Sequence, residues 1–62
     1  METITIQVEL NDVQAWALAQ FVKRVCFSDY RSLSVDKDEA YEMVEAGELV
    51  RKALADVGIA PR

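Results

Sequence analysis

Apolar and polar residues alternate from Glu2 to Leu10: Ile4, Ile6, Val8 and Leu10 fall on one side, and Thr3, Thr5, Gln7 and Glu9 on the other. Period two with β-branched residues predicts a strand with one buried face. No second segment alternates in this way, so the row of backbone donors and acceptors along that strand lacks a partner within the chain. The expected remedy is a homodimer in which residues 2 to 9 of two copies pair antiparallel about a two-fold axis.

The period then changes. From Asn11 to Cys26 the spacing predicts a helix, started by Asn11 with Gln14 at the capping-box distance. At about 100° per residue, Phe21, Val25, Leu18, Val22, Ala15, Cys26 and Ala19 share one wide apolar face, opposite Gln20, Lys23 and Arg24. Trp16 projects toward the polar side. It either packs under the strand or the following loop or serves as a binding anchor, a role in which tryptophan is enriched.

Residues 27 to 35 break the pattern without glycine or proline. Phe27, Tyr30 and Leu33 recur at threes, which suits a single helical turn capped by Ser28 and lying over the open end of the core. The second helix opens on Asp36 with Glu39 three residues on. It closes at Gly58, where a Schellman turn would fold Ile59 back onto Leu54 before Pro61. Between these limits Ala40, Met43, Gly47, Val50, Leu54 and Val57 make a seam at three-four spacing. Gly47 lowers helix propensity by about 1 kcal/mol relative to alanine, so a bulky group is expected to approach there.

The expected fold is therefore α+β: one domain spanning residues 1–62, a short N-terminal strand followed by two helices, dimerised through the strand. Its expected core is Ile4, Ile6, Val8, Leu18, Phe21, Val22, Val25, Met43, Val50 and Leu54. A single domain of 62 residues buries only about 60% of its unfolded surface, which adds to the case for self-association.

Charge and chemistry narrow the function. Residues 36–57 hold seven acids against three bases, so most of the net charge of −4 sits on the second helix. Direct nucleic-acid binding is disfavoured, because neutralising phosphates takes a basic stripe. Glu42, Glu45, Glu48 and Asp56 form either a solvated face or an acidic ridge for a basic protein surface; Glu48 and Lys52 have the favourable i,i+4 order. The chain has no histidine, one cysteine and two glycines. No catalytic constellation, metal site or cofactor cradle is expected. One cysteine and no apolar run of membrane length suggest a cytoplasmic protein.

Two resemblances bear on function. The order of strand, helix and longer helix resembles the ribbon-helix-helix repressors; it implies a DNA-binding regulator or antitoxin, reading bases through Thr3, Thr5 and Gln7. More of the chain is covered by a second. Val8-Glu9-Leu10-Asn11-Asp12, Gln14-Ala15-Trp16-Ala17-Leu18-Ala19-Gln20-Phe21, Glu39-Ala40-Tyr41 and the ending Gly58-Ile59-Ala60-Pro61-Arg62 resemble a family of small bacterial proteins of unknown function carried near prophages and other mobile elements. That setting resembles the one of small acidic anti-defence proteins, including anti-CRISPR proteins. It implies a non-enzymatic inhibitor that occupies a basic nucleic-acid-binding surface of a larger complex. Trp16 and Tyr30 would anchor the partner and Glu42, Glu45, Glu48 and Asp56 would supply the charge.

Overall fold

The computed structural model describes residues 2–62 and contains three helices: α1, Asp12–Arg24; α2, Phe27–Leu33; and α3, Lys37–Asp56. There is no strand among the described residues, so the architecture is all-helical and the expected α+β fold with an N-terminal strand is corrected. Residues 2–10 form an arm without helix or strand, exposed to solvent throughout. Alternation sets which side chains share a side, but a strand also needs a neighbour to complete its hydrogen bonds, and among the described residues no segment pairs with the arm. Ile4, Ile6 and Val8, expected in the core, are 84%, 77% and 65% exposed. The ribbon-helix-helix likeness loses its ribbon by the same finding.

The helix ends follow local chemistry. At α1 the Asn11 Oδ1 accepts from the Gln14 N–H at 2.8 Å, and the Gln14 Oε1 accepts from the Asn11 N–H at 3.0 Å, a complete capping box. At α3 Asp36 Oδ1 accepts from the Glu39 N–H at 2.8 Å, but Glu39 Oε1 takes the N–H of Val35 at 3.0 Å rather than that of Asp36. The expected reciprocal box is thus displaced by one residue. The end of α3 is a Schellman turn. Gly58 has φ of 91°, its N–H donates to the Ala55 oxygen at 2.9 Å, and the Ile59 N–H donates to the Leu54 oxygen at 2.9 Å. Ile59 is thereby returned to the core beside Leu54.

α2 is a short helix of seven residues, and its cap is Cys26 rather than Ser28. α1 and α2 each pack on α3 and not on one another. Toward α1 the seal is made by Ala19, Val22 and Leu54, with Ala15, Leu18 and Ile59 packed against them. Toward α2, Tyr30 crosses α3 at Gly47, where an added methyl carbon would overlap the phenol hydroxyl and lie 3.2 Å from Cζ. The bulky neighbour expected at that glycine is therefore Tyr30. Phe27 meets Tyr41 with ring centroids 5.0 Å apart.

Little of this molecule is interior. Its radius of gyration is 12.5 Å, where a compact chain of this length would have about 11 Å. Among the described hydrophobic residues only Ala19, Val22, Ala40 and Leu54 are buried. Of the expected core, Val22 and Leu54 are buried and Leu18, Val25 and Met43 half-buried, whereas Phe21 and Val50 are exposed. Small side chains let two helices approach closely, so the alanine side of α1 turns to α3 and the larger Phe21 is left outside.

Candidate functional site

Two helices resting on a third without meeting leave a gap between them. Here the gap is a cleft of about 820 Å³. α1 and its C-cap contribute Ala17, Gln20, Phe21, Arg24 and Val25 to one wall; α2 contributes Asp29, Tyr30 and Leu33 to the other; Met43 of α3 lies between them. The lining is mainly apolar, and two of its largest members face water: Phe21 is 60% and Leu33 81% exposed.

The geometry follows from local chain structure. Val25 and Cys26 are both extended, so α1 stops and α2 starts with only two residues between them. So short a connector joins the helices at one corner, and from that corner they diverge across α3. α2 is started by its own cap. The Asp29 carboxylate accepts from the Cys26 N–H at 3.0 Å and from the Cys26 thiol at 3.1 Å. These bonds, that to the backbone N–H above all, hold the Asp29 carboxyl below its ordinary value of 3.8. Cys26 is exposed and serves as this cap, which corrects its expected place on the buried face of α1.

The charges on the cleft are unequal in their commitments. Asp29 is turned to the start of α2, while Arg24 makes no ion pair among the described residues. The site thus offers apolar surface with one uncommitted guanidinium at its lip. Among the described residues no three of cysteine, aspartate or glutamate converge to hold a metal. None of the three helices is long and apolar enough to cross a membrane.

The expected site residues are scattered by the fold. Tyr30 lies in the cleft wall, half-buried, with its ring against Gly47. Trp16 is 42% exposed on α1 and lines no part of the cleft. Glu42, Glu45, Glu48 and Asp56 are exposed on α3. Two of these acids already have partners: Asp56 meets Lys52 at 3.1 Å and Glu48 approaches Arg51 at 4.0 Å, in place of the expected Glu48–Lys52 pair. Exposed pairs of this kind contribute about 0–1 kcal/mol, so they mainly lower the local charge. Ile4, Ile6 and Val8 are on the arm, in no ladder.

Sequence reasoning missed Leu33 and Arg24 as site residues, and placed Phe21, Val25 and Met43 in the core. The spacing of Phe27, Tyr30 and Leu33 did carry the signal that α2 has an apolar side. What it lacked was the direction of α2 relative to α1. Leu49, exposed among the α3 acids, is another apolar residue that the helical seam did not include.

A model for a family of unknown function, DUF7706, matches residues 1–62, and the chain belongs to that family. The sequence resemblance to a family of unknown function holds in this form. No curated protein and no solved structure matches the chain.

Proposed function

We propose that this protein works by adhesion: it is a non-enzymatic protein–protein interaction module whose docking surface is the cleft between α1 and α2. One observation carries the reading. Phe21 and Leu33 stand open to water on either side of Met43, because the helices that bear them never meet. Exposed apolar side chains in a concave setting are the usual mark of a surface that is covered in use. A partner segment with apolar side chains on one side and a carboxylate for Arg24 suits that lining. The exposed thiol of Cys26 supports a reducing, cytoplasmic setting, where it would stay unpaired.

The narrower form of the proposal is an acidic anti-defence inhibitor of the anti-CRISPR kind that occupies a basic nucleic-acid-binding surface. Its support is the exposed α3 face, where Glu42 and Glu45 make no ion pair among the described residues and Leu49 adds an apolar contact at their side. Affinity purification from the native cell, followed by mass spectrometry, tests both forms. The wild-type chain should retain a partner that Leu33→Asp loses, with helix content unchanged by circular dichroism. Loss through Glu42→Lys with Glu45→Lys, together with relief of defence in a plasmid-interference assay, would support the narrower form. Retention by all of these variants would end the docking reading.

A further inference from the structure

Two apolar surfaces of this chain lack a covering in the structure: the stripe on the arm and the cleft between α1 and α2. We propose that each covers the other between copies, the arm of one chain lying extended in the cleft of a second, reciprocally, in a two-fold dimer. This rests on the reading of the cleft as a docking site. It involves no sheet, because the arm would dock by side chains against helices.

The spacings agree. Ala17, Phe21 and Val25 recur along the α1 wall every four residues, a step of about 6 Å. Val8, Ile6 and Ile4 recur every two residues, a step of about 6.6 Å along an arm docked in extended form. Three successive side chains of the arm can therefore meet three successive levels of the wall before the mismatch matters. The arm is also long enough: residues 3–10 extend over about 26 Å, more than twice the roughly 12 Å between Ala17 and Val25 on the helix.

Charge favours the same occupant. Glu2 shares the side of the arm that carries Ile4, so with Ile4 at the level of Val25 a carboxylate comes toward the end of α1 where Arg24 makes no ion pair among the described residues. The cleft of the same chain is a poorer target. To enter it, the arm would have to reverse at Leu10–Asn11, where Asn11 is extended with φ −75° and ψ 170°. There Asn11 is held through both its backbone N–H and its side chain by Gln14, and no glycine or proline occurs in residues 2–11. A second copy meets no such obstacle, and two-fold symmetry makes the contact twice.

Sedimentation of the full chain across a concentration series tests the proposal, with twice the 7.0 kDa protomer mass expected. Ile6→Asp in the arm and Leu33→Asp in the cleft should each raise the dimer dissociation constant at least tenfold. Both positions are exposed, so circular dichroism should show the helices retained. Mixed one to one, the two variants should form heterodimers more tightly than either self-associates, because the Leu33→Asp chain supplies a sound arm and the Ile6→Asp chain a sound cleft. A monomer at every concentration, a dimer indifferent to Ile6→Asp, or contacts from the arm to its own cleft in a monomer would each overturn arm exchange. Partner capture is read separately: a monomeric chain that still captures a partner through Leu33 overturns this inference and leaves the docking function standing.

Discussion

One side of α1 is closed and the other is open, and Phe21, bulkier than any residue on the closed side, is on the open side. Ala15, Leu18, Ala19 and Val22 pack with Leu54 and Ile59, whereas Ala17, Phe21 and Val25 line the cleft. Burial in this protein therefore follows how closely two helices can approach, not which side chain is most apolar. Phe21 is left on a concave surface, where it is of use only to something that comes to cover it.

Substitutions can break this contrast at several points. Leu54→Ala, on the closed side, removes a buried side chain from a very small core and should cost about 2–5 kcal/mol, read as a lower midpoint in urea unfolding. Gly47→Ala comes next. Helix propensity alone would stabilise it by about 1 kcal/mol, but the new methyl meets the Tyr30 hydroxyl, and overpacking of this kind costs about 1–3 kcal/mol. Paired with Tyr30→Phe, which deletes the clashing oxygen, Gly47→Ala should become much less harmful or stabilising; an unchanged cost in the double variant would show that Tyr30 is not what Gly47 accommodates.

Smaller effects sharpen the comparison. Asn11→Ala should cost about 1 kcal/mol by opening the capping box that begins α1. Phe21→Ala deletes more atoms than Leu54→Ala yet should shift stability by only about 0.5 kcal/mol, when measured at low protein concentration where no second copy contributes. If the two cost the same, the division into closed and open sides is mistaken.

The smallest effect is in acid. The Asp29 carboxyl is held below its ordinary value in the folded chain, so its contribution is complete above about pH 3.8 and disappears as pH falls through the lower folded value. Amide chemical shifts at Cys26 and the first turn of α2 should report that loss below pH 4. In Asp29→Asn this acid-dependent step should be absent.

Much of the local structure was legible in the residues because its causes lie within a few positions. Asn11 with Gln14, Asp36 with Glu39, and Gly58 with Ile59 and Leu54 are contacts across three to five residues, and they form at or within one residue of the expected places. Only the return bond from Glu39 moved, to Val35. The space required at Gly47 was legible too, although not that Tyr30 would fill it. The strand was misread because period two describes an extended backbone equally well whether or not a neighbour exists to pair with it. The core was misread because a helical wheel ranks side chains by apolarity and carries no information about distance to the next helix. The cleft escaped notice because it depends on how α2 leaves α1 at Val25 and Cys26.

The sequence by itself determined where α1 and α3 begin and where α3 ends, that the apolar residues of 2–10 alternate with polar ones, and that the acids concentrate on the last helix. Tertiary structure alone decided that α1 buries Ala19 and Val22 and not Phe21, that α1 and α2 stay apart, and that the arm remains in solvent. The reason is one of range: caps and periodicity arise from neighbours along the chain, whereas burial depends on which surfaces residues far apart in sequence bring together.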